Sequence, residues 1–401
     1  MKKVLILIFG LCICFVLMGC GDKDTRGTVT GLTSELPQLA KHSEITKIAD
    51  YRYEITYTDF GEGVIEPFLK YDKEKKEETA GGACSSLRSG NFYGRNFDFH
   101  FCDMCTFIIK VPKKEGVRFA SVGIVSGRPD WTPEFVEKGM DDPSLAILPW
   151  GTLDGINENG VVCNTNVVPA VDLEERLVET NPGKPKMYYQ FLPRYILDNA
   201  TSAKEIVEKI NEFSFVNVKG DFYNIDKFME LHCMVADKDN TYVIEVVNGK
   251  VNITEKEHAM TNFYLTIEKT PHSMGIERYN ILNENYEKAG KSMDDMAQVM
   301  EMIKFTNAYD SNHNPLVLSD NINFIAKDGV IVDSSNMNKY VDEIKENMAK
   351  YAKIVKENNR DPKSGAWQTV HTSVYDIEKR KLRVYVQENY NKFFEYTVPL
   401  D

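Results

Sequence analysis

The alternation of apolar and polar positions changes period several times along the chain, and each change predicts an element. Lys2 and Lys3 precede an uncharged run from Val4 to Met18. As a helix that run is about 22 Å long, short of the roughly 30 Å hydrocarbon core, so it reads as a signal peptide and not as a stable span. Residues 21–33 show no apolar periodicity and read as a tether. A short helix is expected around Leu36–Ile48, then a strand at Tyr53–Tyr57, where aromatic and β-branched residues alternate with Glu54 and Thr56. The charged stretch Lys70–Glu78 reads as a solvated loop or helix.

Beyond it, Gly81–Leu87 and Gly90–Phe99 predict two short strands joined by a turn, and Phe107–Val111 continues in strand style. Gly155–Gly160 supplies a hairpin turn through Asn159-Gly160. From Lys186 to Phe213 the period turns helical, with Tyr189, Leu192, Tyr195 and Ile196 on one stripe and Ser202 starting a second helix with Glu205 as its capping partner. Strands return at Leu231–Ala236 and Tyr242–Val247 around the turn Asp237–Asn240. Helices are expected at Met293–Phe305 and Met337–Asn358, and strands at Thr369–Asp376 and Leu382–Val386, separated by charged Glu378–Lys381. No repeat and no Pro/Ser-rich linker divides residues 84–401, which predicts one α+β domain of layered sheets and helices.

Composition narrows the function. Of the 401 residues, 42% are hydrophobic and 27% charged, as in ordinary globular proteins. The formal charge of −12 offers no basic excess to neutralise phosphates, so nucleic acid is set aside as a partner. The apolar leader ends in Leu17-Met18-Gly19-Cys20, which resembles the lipobox of bacterial lipoproteins. That resemblance implies cleavage before Cys20, acylation of its thiol and a membrane-anchored protein on the extracytoplasmic face of a bacterial cell. An ordinary secretory signal cleaved near the same glycine is the alternative. Loss of residues 1–19 removes two lysines and takes the charge from −12 to −14.

Of eight cysteines, Cys12, Cys14 and Cys20 belong to the leader, leaving the odd set Cys84, Cys102, Cys105, Cys163 and Cys233. Cys102 and Cys105 have the spacing of a redox pair or half a zinc site, but no second such pair follows and His100 stands alone. A local disulfide or two buried thiols is the expectation, with no metal and no cofactor. Nor does any Gly-x-Ser-x-Gly elbow surround Ser85, Ser86 or Ser89.

Cys84 follows two glycines and lies one hairpin away from Arg95 and Asp98, which brings the three toward one sheet edge. The ordered set Cys84-Ser85, Gly94-Arg95-Asn96-Phe97-Asp98, Asn157-Glu158-Asn159-Gly160, Thr261-Asn262 and Gly275-Ile276-Glu277-Arg278-Tyr279 resembles the choloylglycine hydrolase and acid ceramidase-like family of linear amide hydrolases. Residues 192–206, 232–245 and 372–376 extend the likeness, which spans about Cys84 to Val386. The resemblance implies an αββα sandwich of the N-terminal-nucleophile hydrolases, in which the cysteine acts once it is the first residue of its chain. A free α-amine titrates near ~7.7–8.0, so at working pH part of it is neutral and takes the thiol's proton without a histidine. Cys84 lies inside the precursor, so the Ala83–Cys84 bond must break, and the ceramidase-like branch does this by self-cleavage. The expected divisions are a signal peptide at 1–19, a tether at 20–44, an upstream segment at 45–83 packed on the catalytic domain, and the hydrolase domain at 84–401, of 318 residues.

Carried over residue by residue, the resemblance implies that Asp98 orients the new amine, Arg95 favours the thiolate, Asn262 donates to the oxyanion and Arg278 completes the charge network. Asn164 and Asn166 compete for a second oxyanion donor, with Asn166 preferred. The plainer readings are a structural Arg95–Asp98 ion pair, a turn role for Asn262, a surface-helix role for Arg278, and core histidines at His232 and His371. The expected substrate is a small-molecule N-acyl amide carrying a bile-acid or fatty-acyl group. Phe99–Met104 and Phe263–Leu265 are candidates to line an acyl pocket. Two alternatives use much of the same chain: an inert solute-binding lipoprotein, and an acyltransferase on the same site.

Overall fold

The computed structural model describes residues 40–43, 45–60, 82–99, 105–126, 136, 148–168, 180–216, 231–247, 249–267, 275–304, 324–325, 331–332, 337–340, 342, 368–386 and 389–399. The leader, Cys20, the Lys70–Glu78 stretch, His100, Cys102 and most of Met337–Asn358 lie outside them.

The chain opens with β1 (Ala40–His42), β2 (Thr46–Ala49) and β3 (Arg52–Phe60). The helix expected at Leu36–Ile48 is therefore replaced, where described, by two short strands. Both pair antiparallel with β3, whose buried Tyr53, Ile55 and Tyr57 hold it in the core. Tertiary pairing has overridden local helix preference here. Next come β4 (Gly82–Ser89) and β5 (Phe92–Phe99), an eight-by-eight-residue hairpin, then β6 (Thr106–Val111), β7 (Ser121–Ser126), β8 (Asp154–Asn157) and β9 (Val162–Val167). The Asn159-Gly160 turn falls between β8 and β9, but Gly155, Ile156 and Asn157 belong to the strand.

The segment read as wholly helical begins with a strand, β10 (Lys186–Tyr188), paired with β11 (Ser214–Val216). Between them run α1 (Leu192–Asn199) and α2 (Ala203–Lys209). Ser202 caps α2 by accepting from Glu205 N at 3.2 Å, as its position predicted. Then follow β12 (Leu231–Ala236), β13 (Thr241–Val247), β14 (Lys250–Glu255) and β15 (Ala259–Met260). Three helices succeed them, α3 (Ile276–Glu284), α4 (Tyr286–Ala289) and α5 (Met293–Met302). A small pair, β16 (Phe324–Ile325) and β17 (Ile331–Val332), precedes β18 (Gln368–Asp376), β19 (Lys381–Val386) and β20 (Asn389–Thr397).

Among the described residues two large sheets organise these elements. One has ten strands in the order β1-β3-β6-β7-β8-β9-β12-β13-β14 with β2 also on β3; the other has six, β15-β4-β5-β18-β19-β20. Their inner faces share a core in which Tyr93, Tyr375, Leu382 and Val384 of the smaller sheet meet Ile124, Ile156, Met234 and Val243 of the larger. Leu192, Ile196 and Ile206 of α1 and α2 cover the outer face of the large sheet around Cys163, Cys233 and Ile244. Met296 and Met300 of α5 cover the outer face of the small one around Leu87 and Val374. The layers are α, β, β, α. Gly94 lets α5 approach this closely, since a Cβ there would meet Met296 Sδ at 2.7 Å. Among the described residues no helix is long and apolar enough to cross a membrane.

Candidate active site

Cys84 sits in β4, paired with Phe97, while its neighbours along the hairpin pair as Ser86 with Arg95 and Ala83 with Asp98. Directly paired residues of an antiparallel ladder point to the same face. Cys84, Ser86, Arg95 and Phe97 therefore face the other sheet, and Ser85, Asn96 and Asp98 face the helices. The backbone of Cys84 runs between two charged groups, one on each side.

On the inner side, Arg95 Nη2 approaches the Cys84 sulfur at 3.8 Å, and its Nη1 pairs with Asp154 at 3.0 Å. Asp154 also accepts from Tyr375 Oη at 2.6 Å and lies 3.4 Å from His371 Nε2, whose ring stacks on Phe97. Burial alone would raise the Asp154 carboxyl, but Arg95 and His371 outweigh it and hold it at about 2. Burial, partly offset by Asp154, pushes the imidazole of His371 down to about 4, so the ring is neutral at pH 7. Asp154 thus carries the negative charge that locks Arg95 in place. Sequence reasoning missed this support: Asp154 stands at the head of the Asn-Gly hairpin motif, and nothing in its spacing points across to β5 and β18.

On the helix side, Asp98 Oδ1 accepts from Thr369 Oγ1 at 2.5 Å, and its Oδ2 lies 3.9 Å from Arg278 Nη1. Among the described residues Oδ2 has no hydrogen-bond partner, although it is fully buried. Burial pushes the Asp98 carboxyl up to about 7 against the pull of Arg278, Thr369 and Arg95. Arg278 Nη1 donates to the Cys84 carbonyl oxygen at 2.6 Å and also to Ser85 Oγ, and Nη2 donates to Asn262 Oδ1 at 2.6 Å. Gly275, at φ +79°, makes room for this guanidinium, because a Cβ there would meet Nη2 at 2.6 Å. Arg278 is buried at the start of α3 and is no surface residue.

Asn262 Oδ1 accepts from Cys84 N at 3.0 Å as well as from Arg278, and Nδ2 donates to Val167 O at 2.7 Å. Two donors on one atom and an acceptor on the other fix the orientation of this amide. Among the described residues the second Nδ2 hydrogen has no acceptor. The Cys84 thiol itself is pushed up to about 11 by burial, with Arg95 opposing and Asp98 reinforcing the shift. Its nucleophilic form therefore needs a proton acceptor at hand during reaction.

Asn166 faces this strand from β9 of the other sheet. Its Nδ2 donates to Ser86 Oγ at 3.3 Å and Met260 O at 3.1 Å, and Asn164 donates to its Oδ1 at 2.8 Å. Tyr93 Oη in turn donates to Asn164 Oδ1. The hydrogen bonds described for these two asparagines join β9 to β4, β5 and Met260, and none reaches Cys84.

His232 and Glu245, a cross-strand pair of β12 and β13, brace the segment that carries Asn262. His232 Nε2 donates to Thr261 O at 2.9 Å, and Nδ1 faces Glu245 Oε1 at 3.1 Å. Glu245 accepts from Leu265 N at 2.7 Å and Thr266 N at 2.9 Å. Among the described residues no cluster of three or more His, Cys, Asp or Glu side chains is placed to hold a metal ion.

A buried cysteine thus stands among two arginines, an aspartate and an oriented amide on an αββα sandwich. Residues 84–316 match the linear amide C–N hydrolases of the choloylglycine hydrolase family, and the chain belongs to that family. It is also similar to solved structures. A mutant conjugated bile acid hydrolase from Clostridium perfringens shares 16% identity over 79% of this chain and 92% of that one, with a TM-score of 0.40. A second variant of the same hydrolase gives the same figures. Penicillin V acylase from Agrobacterium tumefaciens shares 14% identity over 76% and 82%, with a TM-score of 0.35. No curated protein matches the chain.

Proposed function

We propose that the protein is a lipid-anchored cysteine amidase that cuts its own Ala83–Cys84 bond and then hydrolyses N-acyl amides through an acyl-thioester on Cys84. One observation carries the reading: the Cys84 nitrogen is already held by Asn262 Oδ1, and Asp98, on the neighbouring strand β5, keeps a buried oxygen with no hydrogen-bond partner among the described residues. An α-amine at Cys84 supplies the hydrogen that oxygen needs. In self-cleavage the sulfur attacks the Ala83 carbonyl carbon while the thiol proton passes, by way of water, to Asp98 on the helix side of the strand. The C–N bond breaks as a proton returns to the departing nitrogen, leaving a thioester on sulfur and a free amine on Cys84. Water then cleaves the thioester, releasing the Ala83 carboxylate and the thiol.

In turnover the same amine takes the thiol proton, sulfur attacks the substrate amide, and the leaving amine carries the proton away. Water hydrolyses the acyl-thioester. Arg95 supports sulfur's negative charge, and Asn262 Nδ2 donates to the oxyanion. Buried Phe263 and Tyr264, directly after Asn262, favour an apolar acyl group of the fatty-acyl or bile-acid kind. Anchoring through Cys20 follows from the lipobox-like Leu17–Cys20.

Mass spectrometry of the purified protein tests the reading. The wild-type chain is expected to yield a fragment beginning at Cys84, absent from C84A. A wild-type chain that stays whole and turns over no amide points instead to an inert binding protein, and a whole chain that does turn over amides removes the processing step alone.

A further inference from the structure

β18 contains a bulge. Thr369 pairs with Asp98 and His371 pairs with Phe97, so Val370 between them has no partner in β5. In a regular strand two residues that stand two apart share a face. Because Asp98 and Phe97 are adjacent and point oppositely, the bulge turns Thr369 and His371 to opposite faces. Thr369 reaches Asp98 on the helix side, and His371 reaches Asp154 and Arg95 on the inner side. One strand thereby serves both halves of the site.

The extra residue of a bulge interrupts the ladder, and the Val370 carbonyl is met here by an arginine from the other sheet. Arg52 Nη2 donates to Val370 O at 2.6 Å, and Nη1 donates to Tyr51 O at 2.8 Å. Arg52 is completely buried, and its charge contributes to the downward shift of His371. Burying a guanidinium costs far more than burying an aliphatic side chain, so its position calls for a specific use. Both Arg52 and Val370 lie outside the family match at residues 84–316, and Arg52 belongs to the segment upstream of Cys84.

We propose that Arg52 is a positioning residue of the active site, contributed by the upstream segment: it pins the Val370 bulge and thereby sets Thr369 on Asp98 and His371 on the Asp154–Arg95 pair. This rests on the reading of Cys84 as the nucleophile. The test uses the full chain with R52M, which keeps an apolar stem but no donor, and R52K, which keeps the charge but gathers its donors on a single nitrogen. R52M, assayed well below its melting temperature, is expected to process at Ala83–Cys84 about ten- to a hundredfold more slowly, the scale on which an ångström of misplacement slows an enzymatic step. R52K should recover part of the rate.

A double-mutant cycle separates positioning from general weakening. If Arg52 acts through Thr369, R52M in a T369V background slows processing little further, whereas full multiplication of the two effects overturns the proposal. Equal rates for R52M and wild type also overturn it. Where R52M does not fold, R52Q enters the same cycle with the same criteria. Should the wild-type chain never cleave, the processing reading falls, and alkylation of Cys84 by iodoacetamide decides on Arg52. About a tenfold slowing in folded R52M supports the pin, and an unchanged rate removes it.

Discussion

Asp98 holds the least settled charge in the site. Its carboxyl is pushed up to about 7 by burial while one oxygen has no hydrogen-bond partner among the described residues, so in the uncut chain it passes between acid and base near neutral pH. Only the ionised form can take the thiol proton. Self-cleavage should therefore accelerate as pH rises through about 7 and level off above it. Gel densitometry of fresh precursor across that range measures the profile, and a rate flat from pH 5 to pH 9 would remove Asp98 from this role. Once the α-amine exists, its ammonium form beside Asp98 favours the carboxylate and lowers its pKa. In turnover the ammonium must lose its proton before the amine can take the thiol's, and the Asp98 carboxylate holds that proton on, so the acid limb of substrate hydrolysis should lie above that of processing. D98N should abolish both. At this scale the sequence was readable where motifs run in order, since Arg95, Asp98, Asn262 and Arg278 all converge on Cys84. It was unreadable for Asp154 and His371, which meet only when β8 faces β5 and β18 across the two sheets.

Elements act on the chemistry by holding those residues still. Residues 261–266 carry Asn262 with no long strand or helix of their own, and they are fixed at both ends from the large sheet. His232 takes the carbonyl of Thr261, and Glu245 takes the amides of Leu265 and Thr266. Read from sequence, His232 is a core histidine, and it is indeed buried. That its ring spans from a strand pair to the Asn262 segment follows from the register of β12 and β13, which no local pattern encodes. N262A should lower kcat by about 10²–10³ through loss of an oxyanion donor. E245Q sets an amide NH2 against donors that now meet a carboxylate oxygen, so it should lower kcat by letting Asn262 shift. In an N262A background E245Q should then cost little more, while Cys84 alkylation, which needs no oxyanion hole, stays near wild type. Equal losses in both backgrounds would mean that Glu245 acts elsewhere. The strands around the site were legible from alternation and the helix stripes from their period. The expected helix at Leu36–Ile48 failed because β3 offers its hydrogen bonds to that segment, a demand set by the whole sheet.

For the molecule as a whole, cutting Ala83–Cys84 removes a covalent link without removing a packing partner. β3 lies inside the large sheet, with β1 and β2 on one side and β6 in parallel register on the other. Its Tyr53, Ile55, Tyr57 and Phe60 are buried, each apolar side chain contributing about 1.5–3 kcal/mol before the entropy of ordering is charged against it. Extracting the strand would also bare the edge of β6 and withdraw Arg52 from Val370. The two pieces should consequently co-elute on size exclusion in 1 M salt, which screens surface charge but leaves apolar burial in place, and separate only in denaturant. If the upstream piece carries lipid on Cys20, this sheet then tethers the catalytic piece, and activity should remain with the membrane fraction after cleavage. Recovery of the fragment starting at Cys84 alone and active in the soluble fraction would show that neither β3 nor its arginine is needed. Loss of activity together with the upstream piece would instead mark the cut as a step that frees the nucleophile's nitrogen while the enzyme stays in two chains.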